Sequence, residues 1–120
     1  MVFLFEKGDV MKKEYRVKKS SDIEMIIKKR QSRANGHFVL YKKENHENNH
    51  FRFAVSVSKK YGNAVKRNRI KRQVREIISK IDVLPKYDIF IVVKSNIPQL
   101  TYAQLEASLS DLIFKQKIMR

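Results

Sequence analysis

The stretch that decides the fold is FRFAVSVSKKYGNAVKRNRIKRQVREIISKI, which runs from Phe51 to Ile81. It begins with large apolar side chains that alternate with small, hydroxyl or charged ones, which is the period of a half-buried strand. Beyond Gly62 and Asn63, which suit a tight turn, the apolar side chains recur with the period of a helix. The stretch therefore predicts a strand whose second face is open to solvent or to a ligand, followed by a helix from Ala64 to Ile81.

A first helix is predicted before this stretch. Ser21 has the side chain of an N-cap, and Glu24 follows at the spacing that completes a capping box. The apolar residues at helical spacing are Ile23, Ile26 and Ile27. The pattern then breaks, a strand-forming segment follows over residues 37–41, and the polar residues 44–50 must form a loop.

Two further elements are predicted after the long helix. Residues 87–93 are apolar on both faces apart from Asp88, which is typical of a strand in the centre of a sheet. Thr101 and Gln104 have the pattern of a second capping box at the start of a last helix. The predicted order is α-β-β-α-β-α, a single-domain α+β sandwich with the sheet on one side and the helices on the other.

The composition sets the broad class of protein. The chain has 120 residues, with 27 Lys and Arg against 12 Asp and Glu, and a net charge of +15. A hydrophobic content of 42% supports one domain with its own core, and the absence of cysteine excludes disulfides, thiol nucleophiles and Cys-based zinc sites. No apolar run approaches the ~20 residues of a membrane span, and no secretory signal is recognisable, so we expect a cytoplasmic protein.

The first residues differ from the rest of the chain. Met1 to Val10 is apolar at first and then polar, whereas Met11 is followed by two lysines. Residues 1–10 are either a translated leader before a physiological start at Met11 or a short disordered extension, and the two interpretations have equal support. In both, residues 1–11 lie outside the domain, which spans residues 12–120.

Positive charge is concentrated in the long helix and the turn before it. Residues 59–75 contain eight Lys and Arg in seventeen positions and no acidic residue. Exposed helices usually mix the two signs to gain i,i+4 pairs, so this repulsion indicates a polyanionic partner. Nucleic acid fits best. An anionic membrane surface is the alternative, but the apolar face of the helix is needed for the sheet, and the chain has no interfacial Trp.

The helical projection orders these charges. At about 100° per residue, the outward ridge consists of Asn68, Lys71, Arg72 and Arg75. Arg67 projects towards the core in the first turn, where its guanidinium cannot be buried unpaired, so we expect it to emerge towards the open face of the sheet. Phe38 and Tyr41, on the preceding strand, are candidates to stack on bases of single-stranded RNA.

No sequence motif brings together residues that could carry out catalysis. The acidic residues Asp22, Asp82, Asp88 and Asp111 are scattered, without the spacing of a metal site. The histidines at 37, 46 and 50 lie at a strand edge or in the polar loop, and no Gly-rich phosphate loop is present. We therefore predict neither catalytic residues nor metal ligands in this chain.

Seventeen residues from Ser56 to Arg72, SVSKKYGNAVKRNRIKR, closely resemble the signature of the bacterial ribonuclease P protein subunit. That signature centres on a helix with Arg-Asn-Arg followed by a Lys-Arg pair, and the resemblance extends over about Lys12 to Phe114. It implies an α-β sandwich of the ribosomal protein S5 domain 2-like kind. Its order would be α-β-β-β-α-β-α, with a left-handed βαβ crossover around the helix, against the usual right-handed rule.

The resemblance also implies a function. The chain would be a basic cofactor of a catalytic RNA, and this RNA, with Mg²⁺ that it mainly holds itself, would hydrolyse the bond between the 5′ leader and precursor tRNA. The protein would bind the RNase P RNA and the single-stranded leader, without a membrane or a small-molecule substrate. A general RNA-binding accessory protein, such as a ribosomal one, is the alternative; its binding would not depend on the leader.

Two groups of site residues follow from the resemblance, position by position. The RNA-binding group is Lys59, Lys60, Asn63, Lys66, Arg67, Asn68, Arg69, Lys71, Arg72 and Arg75. The leader cleft would be lined by Ile23, Ile27, Phe38, Val39, Tyr41 and Ser56. Many relatives have aromatic residues where this chain has Ile23 and Ile27, which would leave Tyr41 as the main aromatic side chain of the cleft.

Overall fold

The computed structural model describes residues 15–17, 19–98 and 100–119. The interpretation of residues 1–11 as a leader or an extension lies outside the described residues. Three α-helices, four strands and one short 3-10 helix follow one another in the described chain. They are α1 (Ser20–Lys28), β1 (Ser32–Ala34), β2 (Phe38–Glu44), β3 (Arg52–Val57), the 3-10 helix (Lys59–Tyr61), α2 (Ala64–Ser79), β4 (Tyr87–Val93) and α3 (Tyr102–Lys115).

This α-β-β-β-α-β-α order confirms what the family resemblance implies. Hydrophobic patterning alone misses β1, because this strand has three residues that are all exposed and therefore has no apolar periodicity. β1 is defined instead by its antiparallel pairing with β2, in which Arg33 lies opposite Leu40. The predicted long helix is also correct, although α2 ends at Ser79, two residues before Ile81.

The four strands form one mixed sheet in the order β1-β2-β4-β3. β4 pairs antiparallel with β2 and parallel with β3, which confirms the prediction that it is an internal strand. Since α2 lies between the parallel strands β3 and β4 in the chain, the three form a βαβ unit. The left hand of this crossover stays a prediction of the resemblance.

Helices cover both faces of the sheet, so the prediction that all of them lie on one side is wrong. The main core lies beneath α2 and α3 and contains Leu40, Phe53 and Ile91 from the sheet. On the opposite face, Ile26 of α1 is fully buried and belongs to a second cluster with Phe90. The physical reason is the two-sided apolar character of β4, because Phe90 faces away from the main core and α1 removes it from water.

The two predicted capping boxes have different outcomes. At the start of α3, Thr101 Oγ1 accepts from the amide of Gln104 at 3.2 Å, and Gln104 Oε1 accepts from the amide of Thr101 at 2.9 Å, which confirms the prediction. At the start of α1 the prediction is wrong. The N-cap is Lys19, without a side-chain cap, and Ser21 lies inside the helix. α1 is held instead by burial of its apolar face against the sheet.

Candidate nucleic-acid interface

The turn that begins α2 is built by side-chain caps. Ser58 Oγ accepts from the amide of Lys60 at 3.1 Å, which holds the short 3-10 helix. Asn63 Oδ1 accepts from the amide of Lys66 at 3.0 Å and caps α2. A Cβ at Gly62 would lie 2.9 Å from Cδ of Lys66, so a larger residue here would push the Lys66 side chain aside. This compact turn brings the basic residues of positions 59–66 next to the first turns of α2.

α2 divides into a buried apolar face and a basic face. Ile70, Val74, Ile77 and Ile78 are buried in the main core. The basic residues of positions 59–75 lie on the other side, where Lys59, Lys60, Lys66, Arg69 and Arg72 are exposed and Arg67, Lys71 and Arg75 are half-buried. The predicted outward ridge is therefore only partly exposed, because the aliphatic parts of the Lys71 and Arg75 side chains pack against the protein.

None of these eight cations forms an ion pair within the part of the chain that the structure describes. The ion pairs there involve other residues: Arg52 with Asp88, Lys80 with Glu106 and Lys115 with Asp111, and His46 Nε2 lies 3.1 Å from Glu44. α2 has no acidic residue in its first turn, so the positive end of the helix dipole adds to the charge. The result is a cationic surface whose charges are not neutralised by ion pairs within the described chain. Such a surface is suited to an external polyanion.

One cation that joins this surface is missing from the sequence-based set. Arg16 forms a parallel bridge with Phe53 at the outer edge of β3, the strand on which α2 packs. Burial lowers the pKa of Arg75, and the guanidinium groups of Arg16 and Arg72 lower it further, which identifies the three as neighbours. The Arg16 Nε is buried without a hydrogen-bond partner among the described residues. Only the strand pairing reveals this position, because residues 15–17 are too short to show a period.

The sheet face beneath α1 carries three rows of side chains. The register of β2, β4 and β3 places one residue of each strand side by side in every row. From one end to the other the rows are Lys43–Asp88–Arg52, Tyr41–Phe90–Ala54 and Val39–Val92–Ser56. The first row is ionic, the middle row is aromatic and apolar, and the last has small or aliphatic side chains.

α1 covers the middle row most completely. Ile26 and Val17 are buried with Phe90, and partly buried residues pack around them: Ile23, Tyr41, Ala54 and Val92. The tilted rings of Tyr41 and Phe90 have their centroids 5.9 Å apart. The last row is less covered, since Val39, Val92 and Ser56 are all half-buried. A shallow, mostly apolar strip therefore remains open beside α1.

Five of the six predicted cleft residues belong to this side of the sheet. Val39, Tyr41 and Ser56 lie on the face itself, Ile23 packs into the α1 cluster, and Ile27 is 39% exposed on α1. The sixth, Phe38, does not belong there. Strand alternation puts Phe38 on the opposite face, where it is fully buried in the main core. The prediction that Phe38 lines the cleft and stacks on a base is therefore wrong.

The ionic row closes the other end of this face. Asp88 is 2% exposed and accepts two hydrogen bonds from Arg52, from Nη2 at 2.7 Å and from Nε at 3.0 Å. The loop after β2 adds Asn48 at 2.7 Å and Asn45 at 3.2 Å. Asp88 is thus a fully bonded carboxylate that joins β3, β4 and the loop after β2.

The described ranges hold no cluster of three or more His, Asp or Glu side chains that could bind a metal ion. The histidines have other contacts: His37 Nδ1 lies 2.8 Å from the Ser108 hydroxyl, and His50 stacks on Tyr15 with a centroid distance of 4.0 Å. Within the same ranges, no helix has the length and apolar content needed to cross a membrane.

A small α+β fold with an unpaired cationic helix beside a partly open sheet face defines a basic, single-domain nucleic-acid-binding protein. The comparisons with known proteins identify its family. The profile of the family described as Ribonuclease P matches residues 11–117. The chain belongs to the ribonuclease P protein family and is a protein subunit of this tRNA-processing endoribonuclease, which works with an RNA subunit.

Individual relatives cover nearly the whole chain. The ribonuclease P protein component of Oceanobacillus iheyensis is 38% identical over 112 residues, which is 92% of this chain and 93% of that protein. The component from Streptococcus pneumoniae is 43% identical over 92% of this chain and 90% of its own.

Solved structures agree in fold. A Staphylococcus aureus RNase P protein mutant, described as defective in mRNA degradation activity, superimposes with a TM-score of 0.83 at 39% identity, over 93% of this chain and 96% of that one. The Thermotoga maritima RNase P protein gives a TM-score of 0.75 at 25% identity, over 88% and 98% of the two chains.

Proposed function

We propose that α2 and the 3-10 helix before it bind the RNA subunit, and that the open strip beside α1 binds the single-stranded 5′ leader of precursor tRNA. The observation that carries the proposal is the set of eight unpaired cations in residues 59–75, which have no counter-charge among the described residues. The half-buried row Val39–Val92–Ser56 offers an apolar surface for ribose and bases on the other side of the sheet from the main core.

Hydrolysis of the phosphodiester is assigned to the RNA subunit and Mg²⁺. The donor set of the described residues does not fit a magnesium site, since their acidic side chains are not clustered and Asp88 already accepts hydrogen bonds from Arg52, Asn45 and Asn48. In this proposal the protein holds the leader in place and lowers the repulsion between the phosphates of the two RNAs. Its working compartment is the cytoplasm.

Cleavage of 5′-labelled precursor tRNA at low magnesium tests the proposal. The RNA subunit alone, the protein alone and the two together are compared. Stimulation only in the combination supports a cofactor role, whereas cleavage by the protein alone would contradict it. Binding of the holoenzyme to precursor and to mature tRNA adds the second test, because equal affinities would favour a general RNA-binding accessory protein.

The change Ile27→Phe is expected to raise the preference of the holoenzyme for precursor over mature tRNA by about tenfold. Ile27 is 39% exposed, so a larger ring can be placed there without entering the core. A ring adds base stacking worth roughly 1–3 kcal/mol, and each 1.4 kcal/mol corresponds to about a tenfold change. The ratio of the two dissociation constants measures the effect.

Met25→Phe is the matched control, because Met25 is 47% exposed on the same helix but about 200° away from Ile27 around its axis. It is expected to leave the ratio unchanged. Equal effects of the two substitutions, or none from Ile27→Phe, would contradict a leader site beside α1.

Arg16→Gln is expected to weaken binding of the RNA subunit and to reduce the salt dependence by about one phosphate contact, a slope of roughly 0.9 in log K against log salt. Arg16 is half-buried and its guanidinium lies near Arg75, so we expect it to contact an RNA phosphate together with that residue. Arg33→Gln is the control, since Arg33 is exposed on β1 at the opposite edge of the sheet. An unchanged slope of log K against log salt in the Arg16 variant would contradict the prediction that Arg16 contacts the RNA.

A further inference from the structure

A second concave site lies between α2 and the start of α3, on the opposite face of the sheet from the open strip beside α1. The cavity has a volume of 260 Å³. Its floor is apolar, formed by Ile70 and Leu105, which are 3% and 1% exposed. Ile97 and Leu100 form an aliphatic wall on the connector that leads into α3.

The polar groups around this cavity are free within the described chain. Lys66 and Arg69 line it, are exposed and have no ion pair there. Gln73 is half-buried one turn further along α2, and its amide has no hydrogen-bond partner among the described residues. The half-buried ring of Tyr61 contacts no other described aromatic ring. An apolar floor, a half-buried ring that also packs against the main core, an amide and two cations therefore line one small cavity.

We propose that this cavity takes one unpaired nucleobase of the RNA subunit, with the adjoining phosphates on Lys66 and Arg69. This inference rests on the proposed function and adds to it a specific base-binding site. The base would lie against Tyr61 and the aliphatic floor, and the Gln73 amide can both donate to and accept from its edge. The volume is slightly below the roughly 300–1,000 Å³ of drug-sized ligand pockets, which suits a single ring system.

The chemistry favours an extruded base over a duplex surface. A duplex presents phosphates and hides the faces of its bases, so the apolar floor and Tyr61 would stay empty. A phosphate-only site would need neither the aliphatic wall nor Gln73. The N-terminus of α2, where the helix dipole is positive, lies at the same end of the helix as Lys66 and favours phosphates there.

Affinity of the complete chain for the RNA subunit is the first test, measured over a range of salt concentrations. Tyr61→Leu is expected to weaken binding about tenfold with an unchanged salt slope, because stacking is lost and no phosphate contact is removed. Tyr61→Phe keeps the ring and should bind like the wild type. Gln73→Ala should weaken binding severalfold, whereas Gln31→Ala, at the opposite edge of the sheet, should not.

The outcomes separate this inference from the proposed function. If wild-type protein stimulates precursor cleavage and Tyr61→Leu and Gln73→Ala bind the RNA subunit as tightly as wild type, the base site is wrong and the proposed function stands. If the wild type neither binds the RNA subunit nor stimulates cleavage, the proposed function itself fails.

Chemical shifts of the free protein give a readout that does not depend on the stability of the variants. Adenosine monophosphate is expected to shift the methyl signals of Ile97, Leu100 and Leu105 in the wild type, and to shift them less in Tyr61→Leu. Ribose 5-phosphate should leave these methyl signals in place. Equal shifts from both compounds would mean that the cavity binds only the phosphate, which would contradict a base site. The absence of any shift with adenosine monophosphate would also contradict the inference.

Discussion

Replacing Asp88 with alanine is expected to lower the free energy of unfolding by about 3–5 kcal/mol. The carboxylate is 2% exposed and accepts from Arg52 twice and from Asn45 and Asn48 once each. Its removal leaves the half-buried Arg52 guanidinium without its counter-charge and frees two loop amides. Urea denaturation measures the loss.

Asp111→Ala is the matched control for this prediction. Asp111 pairs with Lys115 at 3.1 Å, but the two side chains are 53% and 59% exposed. An exposed i,i+4 pair stabilises a helix by only about 0.3–0.5 kcal/mol. If the two substitutions cost the same, the network around Asp88 does not stabilise the fold as described.

The same network predicts a dependence of stability on pH. Burial by itself would raise the pKa of Asp88, but hydrogen bonds from Arg52, Asn48 and Asn45, together with the Arg52 charge, lower it below its usual value. An unfolded Asp has a pKa of about 3.9, so the ionised carboxylate stabilises the fold above that pH, and this contribution is lost as the pH falls through the lower folded value. The stability difference between the wild type and Asp88→Asn should therefore shrink on acidification and be nearly constant from pH 5 to 7.

Changing Lys71, Arg72 and Arg75 together to glutamine is expected to weaken binding of the RNA subunit by roughly 100- to 1,000-fold at about 0.1 M salt. Each phosphate contact contributes about −0.9 to the slope of log K against log salt, which is slightly less than tenfold between 1 M and 0.1 M. None of the three cations is paired within the described chain, so their change to glutamine removes no ion pair there and relieves repulsion. Filter binding over a salt series, together with thermal unfolding, measures both effects.

A triple variant with the same change in net charge controls for non-specific attraction. Arg33, Lys86 and Lys117 are exposed and lie outside α2, so their change to glutamine should alter the affinity far less. A comparable loss in both variants would mean that the RNA responds to the overall charge of +15 and not to the basic face of α2.

The elements that the sequence predicts well are those with a strong local signal. The strand at Phe53, the long helix, the internal strand at Ile91 and the Thr101 cap follow from periodicity and capping chemistry, which act over a few neighbouring residues. The prediction of a Ser21 cap is wrong because a local capping signal is weaker than tertiary packing. Burial of Ile26 against the sheet decides where α1 begins, and a side-chain cap is worth only about 1 kcal/mol.

The candidate site divides in a similar way. The basic face of α2 can be predicted from the sequence, because the spacing within one helix determines which side chains point outward together. Phe38 cannot share a face with Val39 and Tyr41, because successive strand residues point to opposite faces, and Phe38 lies with Leu40 in the main core. Arg16, the Asp88 network and the cavity beside Tyr61 each join residues that are far apart in the chain, so no local pattern indicates them.

By itself, then, the sequence determined that this protein is a single basic α+β domain with a cationic helix, because charge and hydrophobic period are properties of consecutive residues. The tertiary structure decided the rest. It placed α1 over Phe90, left the row of Val39, Val92 and Ser56 partly open, and gathered Arg16 with Arg72 and Arg75. These outcomes depend on strand order and on which face each helix covers, and long-range packing selects both once every apolar face must be buried.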